Sequence, residues 1–310
     1  MGRLPWILGG KEPRLRLTVL VILFAVAVLA MVDQLTWRVI DWNEYVTWWD
    51  HAFDRLCIET GITDTTRPQL IPRTVYQTWF TRSLPAEWRK HWREQKSLNP
   101  GYAFELYLDA EMDDFVRLNF APRVWKAYSQ LNIITAKADF WRYLILYKLG
   151  GVYIDMDSAI IKPLAVLIEP QDEAIVTLQN SAPTVFAQWA LMFAPNHPIL
   201  NRTISYIVDN IEQRRFANST IDLTGPNVYS RAINDLHFEN FGVRIRRSLV
   251  RATTDISYHY RQHPGSYRIF GLDYRKFFRI KYMDRILNQN HTHWREEEGR
   301  GKAALRMDSR

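Results

Sequence analysis

The chain has 310 residues, of which 47% are hydrophobic and 14% aromatic, so it can build a sizeable core in one large domain or two small ones. Its 40 basic and 33 acidic residues give a net charge of +7. Because this excess is modest and not gathered into one basic face, we expect no nucleic-acid partner. The single cysteine, Cys57, excludes a disulfide within the chain.

An apolar run from Leu17 to Val32 follows a short basic segment. As a helix rising about 1.5 Å per residue it spans roughly 24 Å, slightly less than a bilayer core of about 30 Å. A cleaved signal peptide and a buried core helix are alternatives, but no small-residue cleavage site follows, and a core helix needs no basic flank. We therefore predict a cytoplasmic tail over 1–16 and a transmembrane signal anchor over 17–35, which gives type II topology.

Residues 36–66 form a stem that is dense in aromatic side chains at roughly helical spacing. The aromatic residues of this stem are Trp37, Trp42, Tyr45, Trp48, Trp49 and Phe53. Such a segment can lie at a membrane interface, pack on the following domain or form a dimer contact. The sequence does not separate these three alternatives.

The segment after the stem alternates between strand and helix patterns. We predict a strand over Thr74–Trp79, a helix over Ala86–Leu98, a strand over Tyr102–Leu108 and a helix that begins at Asp109. Alternating strands and helices indicate an α/β layered sheet, in which ligands gather at the carboxyl ends of the strands.

The central stretch is ADFWRYLILYKLGGVYIDMD, at residues 138–157. We predict a helix over Ile133–Leu149, closed by Gly150-Gly151, and then a buried strand that carries Asp155 and Asp157. The apolar face of the helix is predicted to comprise Ile134, Ala138, Trp141, Ile145 and Leu149. Side chains two apart in a strand point the same way, so the two carboxylates can hold a hard divalent cation, Mn²⁺ or Mg²⁺. The alternative is an acidic strand end in solvent, or one acid capping the next turn.

Beyond this stretch the pattern continues with further elements. We predict strand or loop over Ile160–Leu167, strands over Glu173–Leu178 and Val185–Phe193, a helix over Ile199–Gln213 and another from Asn227. Residues 296–310 are polar and are expected to be disordered.

Three motifs carry a resemblance to a known family: the central stretch with its Asp-Arg-Tyr, Gly-Gly and DxD pattern, Ile71–Trp79, and Leu223–Pro226. They resemble the DxD glycosyltransferases that include the fungal-type Golgi α-1,6-mannosyltransferases and the inositol-phosphoceramide mannosyltransferases. The resemblance covers roughly residues 70–295. It implies a GT-A-like α/β fold with a central, mostly parallel sheet, which we assign to a catalytic domain over 67–295.

The resemblance also implies roles for individual residues. The catalytic residues are expected to be Asp139, Arg142, Asp155 and Asp157, and the metal ligands Asp155, Asp157 and His293. The donor-binding residues are expected to be Gln77, Thr78, Trp79, Asp139, Arg142, Tyr143, Gly151, Asp155, Thr224, Gly225 and Pro226. For Asp139 and Arg142 the alternative is an ordinary surface ion pair, and for Trp79 it is core packing. The His291–Trp294 segment fits the family's terminal motif, but the following Arg295 departs from it.

By this resemblance the chain is expected to be a metal-dependent, retaining transferase of a sugar, with mannose from GDP-mannose favoured over UDP-sugars. The acceptor is a glycan, or alternatively a glycolipid of the sphingolipid type. A catalytically silent, membrane-tethered sugar-binding or scaffold protein and a soluble metal hydrolase remain alternatives. The expected location is the Golgi or endoplasmic reticulum, with the catalytic domain in the lumen.

Overall fold

A mixed seven-stranded sheet with helices on both faces is the framework of the part of the chain that the structure describes. The structure is a computed structural model. It describes residues 68–179, 185–242, 245, 255–258, 267–270, 278–279 and 303–305. These residues belong to one compact unit, Asp64–Arg310.

Over residues 74–119 the described strands and helices alternate as the sequence patterns predict. The strands are β1 (Thr74–Thr78), β2 (Ala103–Tyr107), β3 (Gly151–Ile154), β4 (Ala159–Ile160), β5 (Ala174–Thr177), β6 (Ala190–Phe193), β7 (Asp255–Tyr258), β8 (Tyr267–Phe270) and β9 (Phe278–Arg279). The helices are α1 (Ala86–Leu98), α2 (Asp109–Asn119), α3 (Pro122–Ser129), α4 (Ile134–Leu149), α5 (Leu164–Leu167), α6 (Pro198–Glu212), α7 (Thr220–Leu223) and α8 (Pro226–Phe241).

The strand order of the large sheet is β2-β1-β3-β6-β5-β8-β7, and a separate two-stranded sheet pairs β4 with β9. Three pairings in the large sheet are parallel, β1 with β2, β1 with β3 and β5 with β8. The other three are antiparallel. The prediction of a mostly parallel sheet is therefore wrong. The difference lies in β6, which runs antiparallel to both of its neighbours, β3 and β5.

Two predicted elements past the central stretch differ from the sequence patterns by more than one residue at an end. The strand predicted over Val185–Phe193 is confined to β6. Residues 185–189 lie outside it and meet the chain around β5 through the Leu178–Phe186 bridge and a hydrogen bond from the Ala187 N–H to the Thr177 carbonyl. The Ile160–Leu167 segment, predicted as strand or loop, divides into the end of β4 and the one-turn helix α5.

Helix α4 is buried on all sides over its middle, where every residue from Asp139 to Leu146 is buried. The predicted apolar face is wrong at its ends, because Ile134 and Leu149 are 43% and 39% exposed. The helix lies between the sheet and the helices of one layer. Its burial is therefore set by the elements packed around it and not by one apolar face. Its polar residues Asp139 and Arg142 are consequently inside the protein.

The Gly150-Gly151 pair turns the chain from α4 directly into β3. Both glycines have positive φ, 67° and 103°. A Cβ on Gly151 would lie 2.7 Å from the carbonyl oxygen of Thr74, so only glycine lets β3 approach β1 this closely. The turn fixes the position of β3 beside β1, and with it the position of the residues that follow β3.

The predicted anchor, 17–35, the tail over 1–16 and the stem over 36–66 lie outside the described residues. Within the described ranges, no helix has both the length and the apolar character needed to cross a bilayer. Residues 303–305 contradict the expected disorder of the 296–310 tail, because Ala304 and Leu305 are buried and Leu305 bridges Leu131. The apolar side chains of Ala304 and Leu305 pack on the hydrophobic core.

Candidate active site

Polar side chains converge where the parallel strands β1 and β3 end. Thr78 closes β1, and its hydroxyl lies 3.5 Å from the hydroxyl of Tyr153 in β3. The Tyr153 hydroxyl donates a hydrogen bond of 2.9 Å to Oδ1 of Asp155. The carboxyl ends of two adjacent parallel strands thus supply a connected row of hydroxyl and carboxylate groups, where ligands of α/β sheets bind.

Arg142 joins this row to helix α4. Its Nη2 atom lies 3.1 Å from Asp155 Oδ1 and 3.0 Å from Asp139 Oδ1, so one guanidinium bridges two carboxylates. The Arg142 and Asp139 side chains are only 4% exposed, whereas Asp155 is 32% exposed. The alternative of a surface ion pair is excluded. A buried cluster of this kind contributes little net stability for its desolvation cost, which favours a functional reason for keeping it.

Asp139 has two further partners from distant parts of the chain. The side-chain amide of Gln188 donates to its Oδ1 at 3.0 Å, and the Thr224 hydroxyl lies 3.5 Å from its Oδ2. Burial raises the pKa of Asp139 to about 7, and the nearby charge of Asp155 raises it too, against the lowering effect of Arg142 and the two hydrogen bonds. The carboxyl group is therefore held close to its titration point near neutral pH.

Arg142 carries its positive charge, and its tyrosine neighbours are neutral. Burial lowers the pKa of Arg142, but Asp155, Tyr153 and Asp139 together raise it above its ordinary value. Burial raises the pKa of both Tyr143 and Tyr153, which keeps these phenols protonated as hydrogen-bond donors. The Arg142 guanidinium also lies over the Tyr153 ring, 4.6 Å from its centroid.

The two DxD acids follow β3 in a turn. The strand ends at Ile154, so the prediction that the strand itself carries Asp155 and Asp157 is wrong. The Asp155 backbone N–H still donates to the carbonyl of Trp189 at 2.9 Å, and its own carbonyl accepts from the Ser158 N–H at 2.9 Å. The Ser158 hydroxyl donates to Oδ1 of Asp157 at 3.2 Å. The turn holds both half-buried carboxylates at the carboxyl end of β3.

A divalent cation fits this pair of carboxylates only with help from a substrate. Among the described residues there is no group of three histidine, cysteine or acidic side chains that could hold a metal. Mg²⁺ sites commonly use one or two carboxylates and complete their shell with phosphate and water oxygens. Both contacts of Asp155 described above use Oδ1. The pair therefore suits a cation that arrives with a diphosphate, and His293, the third expected ligand, lies outside the described residues.

The remaining expected donor-binding residues divide into two groups. Thr78, Tyr143 and Thr224 belong to the hydrogen-bonded network, and Gly225 and Pro226 follow Thr224 at the start of α8. The structure does not bring Gly151 to the network, because it lies at the opposite end of β3.

Two residues of β1 and its following turn lie beside the network on the α1 side of the sheet. Trp79 packs against Trp88 of α1, with ring centroids 4.7 Å apart, which agrees with its core-packing alternative. Gln77 is buried, and its Oε1 has no hydrogen-bond partner among the described residues. That atom is available to a ligand.

Sequence reasoning missed Tyr153 and Gln188. Tyr153 lies inside the central stretch, but an aromatic residue in a buried strand gives no sign of a role in the site. Gln188 donates to Asp139, accepts from the Tyr143 hydroxyl and, through its backbone carbonyl, accepts from Arg142 Nη1 at 3.1 Å. It lies 46 residues from Arg142 in a loop, and no local pattern marks it.

Comparison with known families agrees with this geometry. Residues 85–175 match the model of the "Glycosyltransferase sugar-binding region containing DXD motif". The predicted resemblance to the DXD glycosyltransferases is confirmed. The matched segment contains Asp139, Arg142, Asp155 and Asp157, whereas Gln188 lies after its end.

The individual relatives have low sequence identity to this chain, and the alignments cover only part of each relative. The chain is 28% identical over 134 residues to inositol phosphoceramide mannosyltransferase 3 of Schizosaccharomyces pombe, which covers 43% of this chain and 36% of the relative. It is 29% identical over 165 residues to the initiation-specific alpha-1,6-mannosyltransferase of Candida albicans, covering 44% and 43%. The chain thus spans less than half the length of these curated relatives.

Among solved structures, the chain is similar to one described as "PaToxG Glycosyltransferase". The identity is 19% and the TM-score 0.47, over 65% of this chain and 81% of that one. This likeness is too distant to support a statement about activity.

Proposed function

We propose that the protein is a metal-dependent glycosyltransferase that moves mannose from GDP-mannose to a glycan acceptor. The observation that carries the proposal is the bridge from Asp139 through Arg142 to Asp155, inside the segment that matches the DXD family. The choice of mannose is supported by relatives whose names include mannosyltransferase.

On its buried side, the network can contact a bound nucleotide-sugar. The Nε atom of Arg142 is buried and has no hydrogen-bond partner among the described residues. An unsatisfied buried donor is costly, so a sugar hydroxyl or phosphate oxygen that accepts from it gains more than the same contact in water. Gln77 Oε1, on the α1 side of the sheet, is a buried acceptor that also lacks a partner among the described residues.

In this proposal, Asp155 and Asp157 hold Mn²⁺ or Mg²⁺ together with the donor's diphosphate. The bound cation would supply charge neutralisation to the leaving nucleoside diphosphate. The protein's own residues orient the reactants: Arg142 fixes Asp155, and Asp139 and Arg142 together face the sugar. An acceptor hydroxyl then attacks the anomeric carbon as the bond to the nucleoside diphosphate breaks, and the hydroxyl proton passes to the departing diphosphate.

Retention of configuration is part of the proposal. Asp139 is bound to Arg142, Gln188 and Thr224, which leaves it poorly placed to act as an attacking nucleophile. Front-face attack by the acceptor, on the side from which the diphosphate leaves, therefore fits the site better than a covalent sugar–enzyme intermediate. The anomeric configuration of the product, read by NMR, tests this step.

A second acceptor class has its own support. The name of one relative states transfer to inositol phosphoceramide, a sphingolipid. With the anchor expected over 17–35, a glycolipid acceptor in a Golgi or endoplasmic reticulum membrane is the second candidate. Mass analysis of products from paired incubations with a mannan oligosaccharide and with an inositol-containing sphingolipid separates the two acceptors.

The deciding experiment is calorimetric titration of the full-length chain in detergent with a panel of GDP- and UDP-sugars, with and without Mn²⁺. We expect metal-dependent binding of GDP-mannose and its loss in Asp157→Asn, with no loss in Asp114→Asn, an exposed aspartate on α2. Binding of no donor would favour the silent sugar-binding or scaffold alternative. Donor breakdown that is equally fast with and without acceptor would favour a hydrolase.

A further inference from the structure

A surface groove of about 990 Å³ runs along β2, and neither Asp155 nor Asp157 lines it. Its floor is formed by Leu84 and Trp92 of the α1 side together with Phe104 and Leu106 of β2. Because β2 is the first strand in the order β2-β1-β3-β6-β5-β8-β7, the groove follows the free edge of the sheet in the described part of the chain.

The backbone of β2 presents hydrogen-bonding groups to this groove. The Ala103 N–H donates to the Arg73 carbonyl, and the Tyr107 carbonyl accepts from the Trp79 N–H. Both bonds point toward β1. Backbone groups of a strand alternate in direction, so those of Phe104 and Leu106 point away from β1. The Leu106 carbonyl accepts a side-chain hydrogen bond of 3.3 Å from Arg82, while the two N–H groups and the Phe104 carbonyl face the groove.

The two walls of the groove carry opposite charge. Arg89 and Arg93 line the α1 wall, one helical turn apart and exposed. The opposite wall carries Glu105 and Glu111, and Glu111 is paired with Arg82 at the end of the groove. Within the described residues neither Arg89 nor Arg93 has a carboxylate partner, so the α1 wall is the side that attracts an anion.

We propose that this groove binds an extended acidic segment of a partner protein, which adds to the sheet as a strand beside β2. Main-chain hydrogen bonds to Phe104 and Leu106 supply affinity, and alternate side chains supply specificity. Because side chains of a strand alternate between faces, every second residue of the segment meets Arg89 and Arg93. The preferred segment therefore carries acidic residues at every second position.

A second copy of this chain is a poorer occupant. Two β2 strands paired antiparallel about an axis perpendicular to the sheet keep their faces aligned. Arg89 and Arg93 would then meet the same residues of the other copy, and Glu105 would meet Glu105. Like charges on both faces oppose that assembly.

The test measures binding to the full-length protein by fluorescence anisotropy with three labelled ten-residue peptides. One alternates glutamate with valine, one alternates lysine with valine, and one is the glutamate peptide with every backbone nitrogen N-methylated. We expect only the first to bind. In Arg89→Glu/Arg93→Glu its affinity should fall by at least about tenfold, equal to about 1.4 kcal/mol. In Lys90→Glu, a single change on the same helix outside the groove, it should be retained.

Hydrogen exchange locates the site independently of charge. We expect the amides of Phe104 and Leu106 to become protected when the glutamate peptide binds. The proposal fails if the N-methylated peptide binds as well, if the lysine peptide binds equally, or if no peptide binds. Concentration-dependent dimerisation that protects the same amides would assign the groove to a second copy instead. None of these readouts depends on transferase activity.

Discussion

Arg142, in the middle of α4, and Asp155, in the turn after β3, form an ion pair of 3.1 Å. The pair ties α4 to the turn that carries the DxD acids. It makes the position of Asp155 depend on a helix that is buried on all sides. Rigid placement of a carboxylate in this way is what orientation of a bound donor requires.

Replacing Arg142 should strongly destabilise the protein. In Arg142→Met the buried Asp139 loses its charged partner, so we expect the free energy of unfolding to fall by about 3–5 kcal/mol. The matched control is Arg117→Met, because Arg117 and its partner Asp114 are 54% and 62% exposed. That control should change the free energy of unfolding by less than about 1 kcal/mol. Urea unfolding measures both, and equal effects would contradict the buried bridge.

The raised pKa of Asp139 predicts a specific pH dependence of stability. Its pKa is about 7 in the folded protein and 3.8 as the ordinary value, so the folded state binds the proton more tightly. The stabilisation from this group is fully present below about pH 4 and is lost as pH rises through about 7. The free energy of unfolding of the wild type, relative to Asp139→Asn, should therefore decrease by a few kcal/mol over that interval.

This difference is measured by urea unfolding of both proteins at several pH values from 4 to 8. Subtracting the Asn variant removes the contributions of other groups that titrate in the same window, such as His237, whose pKa burial lowers to about 4. A difference that stays constant or grows with pH would contradict the raised pKa of Asp139.

Gln188 is expected to act as a positioning residue for the proposed reaction. Gln188→Leu removes the amide that holds Asp139 and leaves the Tyr143 hydroxyl without its acceptor. We expect kcat/KM for the donor to fall about 10- to 100-fold, or about 1.4–2.7 kcal/mol. Tyr143→Phe, which removes only one of these bonds, should have a smaller effect. The control is Gln179→Leu, just after β5. Full activity in Gln188→Leu would remove Gln188 from the site.

Gly151 should prove structural, not donor-binding. Alanine there combines a positive φ of 103° with a Cβ placed 2.7 Å from a backbone oxygen. Gly242 also has a positive φ, 69°, but its Cβ would have no atom within 4 Å. Gly242→Ala should cost about 1–2 kcal/mol. Gly151→Ala should cost clearly more because the backbone must also shift. A Gly151→Ala protein of wild-type stability with weakened donor binding would support the donor-binding expectation.

The local elements were predictable because short-range patterns determine them. The predicted helix over Ala86–Leu98 has the same bounds in the structure, and the predicted helix over Ile133–Leu149 differs by one residue. The Gly150-Gly151 turn follows from conformational freedom that only glycine has. The direction of β6 was not predictable in the same way, because it depends on which strands lie beside it.

For this protein, the sequence by itself determined the central helix–turn–strand unit, the DxD pair and the resemblance to the DXD glycosyltransferases. Only the tertiary structure decided that Arg142 bridges Asp139 and Asp155, and that Gln188 closes the network from a loop. It also decided that the sheet is mixed and that the edge of β2 opens into a groove with one basic and one acidic wall. The reason is physical: periodicity and turn chemistry act between near neighbours, whereas buried charges are paired by side chains that only the packed fold brings together.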